Sequence, residues 1–386
     1  MSIVKVLTVF GTRPEAIKMA PLVKELEKYP DKIECKVAVT AQHREMLDQV
    51  LELFDIAPAY DLNIMQPNQT LFEITSRALM GLNDVLSREN PDIVLVHGDT
   101  TTTFVAGLAA FYRQVKVGHV EAGLRTGNKY SPYPEEMNRK LTGAISDIHF
   151  APTDTAKANL LREAVNPDTI LVTGNTVIDA LLTTVKEGYH FNDKILDNID
   201  YRNKRVLVVT THRRENLGEP LRNVYKALRA IVERYEDVEV VFPVHKNPKV
   251  RQIVASVLGE LPRVHLIDPL DYAPFVNLMN KAYLVLTDSG GLQEEAPSLG
   301  KPVLVLRDTT ERPEAVEAGT VQLVGTGEEA VFNACQALLE DSAQYQKMAN
   351  SVNPYGDGKA SVRIREGLEY FFGLNAIKPK EFEVNQ

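Results

Sequence analysis

The sequence predicts an α/β protein of two domains, each containing a parallel sheet covered by helices on both faces. Short apolar runs rich in β-branched residues alternate with longer segments of helical period, which is typical of parallel sheets. The chain has 386 residues, more than one ordinary core holds, because domains usually span roughly 100–200 residues. The alternation restarts near the middle of the chain. Together these observations favour two similar α/β halves.

In the first half, strands and helices are predicted from distinct patterns. The helices are predicted from the spacing i, i+3, i+4 in PEAIKMAPLVKELEKY and LFEITSRALMGLNDVLSREN, and Pro14 suits the first turn of the earlier one. The strands are predicted in VKVLTVF, KVAVT, DIVLVHGD, VKVGHVEAG and IHFAPT.

The second half begins after a polar stretch, 186–204, which has weak periodicity and is interpreted as a surface excursion near a domain junction. Strands follow in RVLVVTTHRRE, VEVVFPVH, VHLIDPL, AYLVLTDSG and PVLVLRDTTERPE. The amphipathic run SVRIREGLEYFFG is expected to form a helix that packs back on the first domain. We therefore predict an N-terminal domain over 1–170, completed by 360–386, and a C-terminal domain over 171–359.

Composition excludes several classes of protein. The net charge of −9 and a pI near 5.5 argue against a general binder of nucleic acid or membrane surfaces, because an acidic surface repels phosphate-rich polymers. No apolar run reaches the ~20 residues of a membrane helix, and the N-terminus is interpreted as a first strand rather than a signal peptide. Cys35 and Cys335 are far apart in sequence and suggest neither a disulfide framework nor a zinc site. Reduced, buried thiols suit a cytoplasmic protein.

Ligands of open α/β sheets bind outside the carboxyl ends of the strands, so we expect the functional residues in a cleft between the domains. After the first strand, Gly11 permits a tight turn, and Arg13 and Lys18 flank the start of a helix. Two cations beside the N–H groups of a helix start favour an anion site. A plain strand–helix turn with solvated charges explains the same residues. No GxGxxG fingerprint is present, so a dinucleotide is not supported.

Two successive strands in the first half end near carboxylates. Asp99 follows the strand of VLVHGD, and Glu121 follows GHV in what is interpreted as the equivalent position. Asp99 alone is explained by helix capping. Two carboxylates at one sheet edge favour acid–base chemistry, because such groups can differ in pKa.

The segment SPYPEEMNRK is predicted to begin a helix at Pro134. Glu135 and Arg139 are spaced i, i+4, which an exposed helical ion pair explains without any function. The nearby carboxylates make a role for Glu135 in the site an alternative.

The second half places further polar residues after strands. His212 and His245 each follow a predicted strand beside cations, which favours phosphate binding over a purely structural role. Ser289, Gly290 and Gly291 precede a predicted helix that carries Glu294 and Glu295. The glycines would let backbone amides approach a phosphate, and a carboxylate one turn later can accept hydrogen bonds from both hydroxyls of a ribose.

Taken together, these motifs resemble the non-hydrolysing UDP-N-acetylglucosamine 2-epimerase family of bacteria over nearly the whole chain. They are GTRPEAIKMAP, VHGDTTT, GHVEAGLRTG, PEEMNR, THRREN, PVH, DSGGLQEEAPSLGKPVLVLRDTTERPE and NPYGDGKA. The resemblance implies two Rossmann-like domains in the GT-B-like arrangement of many glycosyltransferases, with the active site in the cleft and UDP bound by the C-terminal domain. It also implies interconversion of UDP-GlcNAc and UDP-ManNAc without a redox cofactor or metal, supplying ManNAc for surface polysaccharide or teichoic-acid linkage in cell-wall biogenesis.

The resemblance also implies roles for individual residues. The reaction would eliminate UDP across C1 and C2 to give 2-acetamidoglucal and then add UDP again after the C2 proton is replaced on the other face. The residues that match catalytic positions are Asp99, Glu121, Glu135 and His212. Those that match UDP-binding positions are Arg13, Lys18, Ser289, Gly290, Gly291 and Glu295. Those in segments matching an effector site for a second UDP-GlcNAc are Gln42, His43, Arg44, Glu136, Arg213 and His245.

UDP-GlcNAc, as substrate and effector, and UDP are the expected partners, and we also expect a homodimer that binds neither nucleic acid nor membrane. Three other functions remain open. A hydrolysing epimerase would release free ManNAc and UDP, a GT-B glycosyltransferase would transfer the sugar to an acceptor, and a catalytically silent sensor would bind UDP-GlcNAc without turnover.

Overall fold

A computed structural model describes residues 3–42 and 44–384 of the chain. Contacts divide it into two compact units. The first unit runs to Thr183 and includes Tyr355–Glu383, and the second is Thr184–Pro354 with Val384. The division falls later than the sequence-predicted boundary at 170.

The described part of the first unit forms a seven-stranded parallel sheet in the order β3-β2-β1-β4-β5-β6-β7. The strands are β1 (Val4–Phe10), β2 (Ile33–Val39), β3 (Tyr60–Asp61), β4 (Ile93–His97), β5 (Lys116–Val120), β6 (Ile148–Ala151) and β7 (Ile170–Val172). All five residues of β4 are buried, as expected for a parallel strand covered on both faces.

Helices connect these strands. They are α1 (Arg13–Leu26), α2 (Arg44–Leu53), α3 (Leu71–Glu89), α4 (Thr101–Tyr112), α5 (Glu135–Ile145), α6 (Asp154–Arg162) and α7 (Thr176–Thr184). Pro14 lies in the first turn of α1 as predicted. The apolar faces of α3 and α4 pack with β1, β4 and β5 into one core, which includes Leu82, Val94 and Val105.

The described part of the second unit forms a six-stranded parallel sheet in the order β10-β9-β8-β11-β12-β13. The strands are β8 (Arg205–Thr210), β9 (Val238–Pro243), β10 (Val264–Ile267), β11 (Leu284–Thr287), β12 (Val303–Val305) and β13 (Val321–Leu323). Two parallel α/β sheets confirm the predicted fold class.

The helices of the second unit connect its strands or flank its sheet. They are α8 (Lys194–Asn198), α9 (Glu219–Arg234), α10 (Pro248–Leu258), α11 (Tyr272–Lys281), α12 (Gly290–Glu295), α13 (Pro313–Glu317), α14 (Glu328–Glu340) and α15 (Ser342–Ala349). The last helix, α16 (Ala360–Phe371), belongs to the first unit and contacts α1. The buried ion pair between Arg365 and Glu25, at 2.9 Å, joins these two helices.

The stretch 186–204 is only partly a surface excursion. Phe191, Leu196 and Ile199 are buried and pack with Val206 and Val208 of β8. The prediction is wrong for these three residues, because their apolar side chains cover one side of the second sheet.

Among the described residues, no helix is long and apolar enough to cross a membrane. Cys335 is buried and Cys35 is half-buried, both as free thiols. Burial raises the pKa of each to about 12, so neither is a ready nucleophile.

Candidate active site

The order of strands reverses between β1 and β4 in the first sheet and between β8 and β11 in the second. Crevices at such reversals are where open α/β sheets bind ligands. The loops that follow β4 and β5 carry Asp99 and Glu121, and Lys18 lies in α1, which follows β1. In the second unit, the loops that follow β8 and β11 carry His212 and Ser289. The predicted residues therefore collect at the carboxyl ends of strands in each unit.

Strands β4 and β5 end at the same level. His97 pairs with Val120 in register, and the N–H of Gly98 donates to the Val120 carbonyl at 2.9 Å. Gly98 has φ +69° and Glu121 φ +61°, so both chains turn through the left-handed region at this point. For a glutamate this costs roughly 1–2 kcal/mol, and such strain clusters at functional sites. Glu121 is level with Gly98, so the predicted equivalence with Asp99 is wrong by one residue.

Glu121 is buried between two basic side chains. Lys18 Nζ donates to Glu121 Oε1 at 2.8 Å and to Oε2 at 2.6 Å. His97 Nε2 lies 2.7 Å from Oε2. Burial raises the pKa of Glu121, but the charges of Lys18 and His97 outweigh it and hold this pKa well below the usual range. Glu121 is therefore ionised at neutral pH.

Asp99 is held by α5 and does not cap α4. Its Oδ2 accepts a hydrogen bond from Arg139 Nη2 at 2.6 Å, and its carbonyl accepts one from Asn138 Nδ2 at 2.9 Å. The cap of α4 is Thr100, whose side chain accepts from the N–H of Thr103. The capping explanation for Asp99 is wrong, because Thr100 satisfies the helix start.

Glu135 is the first residue of α5. Its Oε2 is buried and has no hydrogen-bond partner among the described residues. The expected i, i+4 pair with Arg139 is not made, because the guanidinium of Arg139 reaches Asp99 and Glu136 instead. Glu135 thus differs from Asp99 and Glu121, whose carboxylates each have a cationic partner.

The three carboxylates line one cavity of about 370 Å³ in the first unit. Its other lining residues are Thr12, Pro14, Glu15, Lys18, Gln42, Leu71, His97, Gly98, Thr100, Thr101, Pro134 and Asn138. Among the described residues, no group of three or more His, Cys, Asp or Glu side chains is placed to hold a metal ion. The cavity offers carboxylates and one ammonium group for proton transfer and charge stabilisation.

The predicted anion site around Gly11 is built differently from the expectation. A Cβ atom on Gly11 would lie 1.9 Å from Thr40 Oγ1, so this glycine permits a close approach of chains and has no positive φ. The ammonium group of Lys18 donates hydrogen bonds to Glu121. Arg13 begins α1, half-buried.

Sequence reasoning missed Glu15, which is 2% exposed. Its Oε2 accepts hydrogen bonds from the N–H groups of Gly11 and Thr12, at 3.1 and 2.8 Å. Its Oε1 accepts from the hydroxyls of Thr100 and Thr103, at 2.6 and 3.0 Å. Glu15 therefore ties the loop after β1 to the loop after β4. The spacing T-x-x-E at Thr12–Glu15 is a capping-box signal that could have identified it.

His119 was also missed. It is fully buried on β5, and burial lowers its pKa to about 3. The ring is therefore neutral, and since the Gly98 carbonyl 2.8 Å from Nε2 can only accept, Nε2 carries the proton. This bond fixes the loop that leads to Asp99.

The predicted effector residues of the first unit lie in different surroundings. Gln42 lines the cavity, whereas Arg44 pairs with Asp48 and Asp61 at the start of α2. Glu136 is fully buried and accepts from the N–H groups of Thr126 and Gly127, both at 3.0 Å. His43 lies outside the described residues.

In the second unit, the loop after β8 folds over Asp288, which follows β11. The backbone N–H groups of His212 and Arg213 donate to its carboxylate at 3.0–3.1 Å, and Asn216 Nδ2 donates at 3.3 Å. Asp288 is fully buried. The residue stands in the DSGG motif, and a polar residue directly after a buried strand is itself a signal of a functional or anchoring position.

The other predicted residues of the second unit lie near these loops. The guanidinium of Arg213 donates to the Asp288 carbonyl at 3.2 Å and lies 3.4 Å from Glu311. His245 Nδ1 accepts from the Asn247 N–H at 3.1 Å, just before α10.

The glycines of the DSGG motif lie within α12, whose cap is Ser289. A Cβ atom added to Gly290 or Gly291 would meet no atom closer than 3.6 Å, so the space beside this helix start is open. Glu294 is buried and pairs with Arg312, whereas Glu295 Oε1 lies nearest to that added Cβ of Gly291. Of the two glutamates, Glu295 is the one beside the open space.

Comparison with known proteins decides the family. A profile described as UDP-N-acetylglucosamine 2-epimerase matches residues 24–369. The chain belongs to the UDP-N-acetylglucosamine 2-epimerase family. It is 60% identical over 382 residues to the UDP-N-acetylglucosamine 2-epimerase of Bacillus subtilis, with 99% of each chain covered. The family resemblance expected from the motifs is confirmed, and the chain is an enzyme of the epimerase class.

Solved structures of epimerases agree with this assignment. A putative UDP-N-acetylglucosamine 2-epimerase from Listeria monocytogenes superposes with a TM-score of 0.94 at 57% identity, covering 99% of this chain and 100% of that one. The epimerase from Neisseria meningitidis bound to UDP-GlcNAc gives 0.84 at 55% identity, covering 94% and 99%. A glycosyltransferase of kitacinnamycin, with 11% identity and a TM-score of 0.64 over 96% and 99%, shares only the fold. That likeness supports the GT-B-like architecture.

Proposed function

We propose that this epimerase interconverts UDP-N-acetylglucosamine and UDP-N-acetylmannosamine by elimination and re-addition of UDP. The observation that supports the proposal most directly is the cavity of the first unit, where Asp99, Glu121 and Glu135 line one space with Lys18. Inversion at C2 needs a proton removed from one face and a proton delivered to the other. Carboxylates in different surroundings suit those two tasks.

In the proposed first step, a carboxylate takes the C2 proton and the C1–O bond breaks. The electrons of the C2–H bond form the C1–C2 double bond of 2-acetamidoglucal, and UDP leaves with the electrons of the C1–O bond. In the second step, a proton reaches C2 from the opposite face and UDP adds to C1 again. Atoms and charges balance over the cycle without a cofactor.

The roles implied by the family resemblance are proposed for the residues that match. Asp99, Glu121 and Glu135 would exchange the C2 proton and stabilise charge, and His212 would contact the diphosphate. The residues proposed to bind UDP are Arg13, Lys18, Ser289, Gly290, Gly291 and Glu295. The open space beside Gly290 and Gly291, where a Cβ meets nothing within 3.6 Å, supports an approach of phosphate to the backbone.

Incubation with UDP-GlcNAc in deuterated water tests the reaction. We expect UDP-ManNAc with one deuterium at C2, measured by mass spectrometry and proton NMR. Product formed without deuterium at C2 would exclude elimination through C2 deprotonation.

The same reaction mixture separates the alternatives. Free ManNAc and UDP that accumulate with turnover would indicate a hydrolysing epimerase. Sugar transferred to an added acceptor without C2 exchange would indicate a glycosyltransferase, and UDP-GlcNAc binding without any product would indicate a sensor.

We further propose that a second UDP-GlcNAc activates the enzyme through Gln42, His43, Arg44, Glu136, Arg213 and His245. Initial rates should then depend on UDP-GlcNAc concentration sigmoidally, and a hyperbolic dependence would contradict activation. We also propose a homodimer, for which sedimentation should give twice the chain mass of 43.0 kDa. A supply of ManNAc to surface polymers predicts that a deletion strain loses ManNAc from them.

A further inference from the structure

Asp288 is a buried carboxylate to which the family resemblance gives no role. It lies directly after β11, with none of its surface exposed. Its Oδ2 accepts from the N–H groups of His212 and Arg213, both at 3.0 Å, and from Asn216 Nδ2 at 3.3 Å. With the His212 ring included, four protein atoms contact this carboxylate. It therefore anchors the loop after β8.

The His212 ring touches the same carboxylate on one side only. Its Nδ1 lies 3.0 Å from Asp288 Oδ1, and its side chain is 46% exposed. A carboxylate oxygen can only accept, so the nitrogen beside it must carry the proton. The other nitrogen, Nε2, lies across the imidazole ring from Nδ1, in a side chain that is nearly half exposed.

We propose that Asp288 is the positioning residue for His212: its buried carboxylate holds the Nδ1 proton and presents Nε2 to the diphosphate of the nucleotide sugar. The identity of the ligand as a nucleotide sugar rests on the proposed function. When both ring nitrogens carry protons, Nδ1–H donates to Asp288 and Nε2–H donates to a phosphate oxygen.

The surrounding charges leave Asp288 as an acceptor. Burial raises its pKa, but hydrogen bonds from His212 and the backbone N–H of Arg213 outweigh burial and hold the pKa below its usual value. Among the described side chains, the charged ones that form ion pairs near this loop are Arg213, Glu215, Arg307 and Glu311. Arg307 donates to Glu311 at 2.8 Å and lowers the pKa of that carboxyl to about 2, so these two charges compensate each other.

Nitrogen-15 NMR of histidine-labelled protein tests the tautomer without any reaction. The chain has eight histidines, and the His212 signals are those missing from a His212→Asn variant. For the neutral ring we expect the Nδ1–H tautomer in the native protein. The Nε2–H tautomer there would overturn the proposal, whether or not any Asp288 variant folds.

An Asp288→Asn variant should reverse the tautomer. The asparagine oxygen can still accept from the backbone N–H groups, and its amide then faces Nδ1 as a donor, which leaves the ring proton on Nε2. An unchanged tautomer in a folded variant would overturn the proposal.

Affinity for UDP, measured by calorimetry, tests the coupling between the two residues. Loss of a charge-assisted contact predicts roughly 10-fold weaker binding for Asp288→Asn and for His212→Asn, and no further loss in the double variant. Additive losses would show that Asp288 acts independently of His212 and would overturn the proposal.

Asp237→Asn is the matched control, because this carboxylate pairs with Arg205 at 2.6 Å at the opposite end of the same sheet. Its UDP affinity should stay within twofold of the native value. Failure of the proposed function would appear separately, as native protein that binds UDP with the expected tautomer and coupling but gives no epimerised product.

Discussion

Glu121 in the first unit and Asp288 in the second are both buried carboxylates that directly follow a strand, yet they are stabilised in different ways. Glu121 depends on the side chains of Lys18 and His97. Asp288 depends on the His212 ring and, unlike Glu121, also on the backbone N–H groups of His212 and Arg213. In both, burial raises the pKa and the partners lower it further than burial raises it.

The difference matters because side chains can move or change charge, whereas backbone N–H groups keep theirs. The pKa of Glu121 would rise if Lys18 moved away, which suits a group proposed to exchange a proton. Asp288 stays ionised, which suits a group that orients another. The comparison therefore separates a carboxylate held by side-chain charges from one held in part by backbone N–H groups.

The largest effect should come from Glu121, which we propose to take part in exchange of the C2 proton. We expect Glu121→Gln to lower kcat by ~100-fold or more, because the amide cannot take part in proton transfer. Glu163→Gln is the control, since Glu163 also forms an ion pair, with Arg125 at 2.7 Å, but does not line the cavity. Steady-state rates of UDP-ManNAc formation measure both, and a near-normal kcat in Glu121→Gln would remove Glu121 from the mechanism.

Removal of Lys18 should leave the buried carboxylate of Glu121 with the His97 ring and without its ammonium partner. We expect Lys18→Met to lower the free energy of unfolding at pH 7 by about 2 kcal/mol. Lys36→Met, which breaks a surface pair with Glu89 at 2.7 Å, should cost less than ~1 kcal/mol.

The pairing also predicts how the stabilisation by Lys18 changes with pH. Because the folded pKa of Glu121 lies below its unfolded value, the stabilisation is present above the unfolded pKa and is lost as pH falls through the folded one. The difference between native protein and Lys18→Met, measured by denaturant unfolding, should therefore shrink on acidification. A constant difference would contradict the Lys18–Glu121 pairing as its cause.

The carboxylate of Glu15 accepts hydrogen bonds from two backbone N–H groups and from two side-chain hydroxyls. It is therefore stabilised both by backbone and by side-chain donors. In Glu15→Gln, an amide nitrogen replaces one carboxylate oxygen and faces donors from which it cannot accept hydrogen bonds. We therefore expect the free energy of unfolding to fall by about 1–2 kcal/mol. The exposed capping-box residue Glu73, which accepts from the Thr70 N–H at 2.7 Å, is the matched control. Equal losses in Glu15→Gln and Glu73→Gln, measured by thermal or denaturant unfolding, would show that burial of Glu15 adds nothing.

His119 should make the first unit sensitive to acid. Its folded pKa of about 3 is below the unfolded value near 6.5, so the stability it gives is present above pH 6.5 and is lost as pH falls toward 3. Between pH 6.5 and 5.5 the native protein should lose roughly 1 kcal/mol more than His119→Gln. Replacement of the exposed His190 by Gln should leave the slope unchanged, and equal slopes for native protein and His119→Gln would contradict a neutral buried ring.

The long elements were predictable because their patterns are local. The spacing of α3 and the apolar run of β4 each identify an element without tertiary information. The short strands β3, β7 and β13 were not predicted, because so few residues give little periodic signal, whereas the equally short β12 lies within the longer apolar run PVLVL. The core residues of 186–204 were missed because Phe191 stands alone among polar residues and Leu196 belongs to a single apolar pair with Ile195.

The site was predictable as a set of residues but not as a set of contacts. Motifs pointed to Asp99, Glu121 and Glu135, which line one cavity. The sequence could not pair Lys18 with Glu121, 103 residues apart, or Arg139 with Asp99, because such pairs depend on strand order and register. The residue Asp288 was visible in its motif, but its partners come from a loop on the neighbouring strand.

Exchange of the C2 proton is the most direct test of the claim that the first-unit carboxylates perform the chemistry. The rate of deuterium incorporation at C2, followed by proton NMR in deuterated water, should fall in Glu121→Gln by the same ~100-fold factor as epimerisation and remain native in Glu163→Gln. Native exchange in Glu121→Gln would show that this carboxylate takes no part in moving the proton.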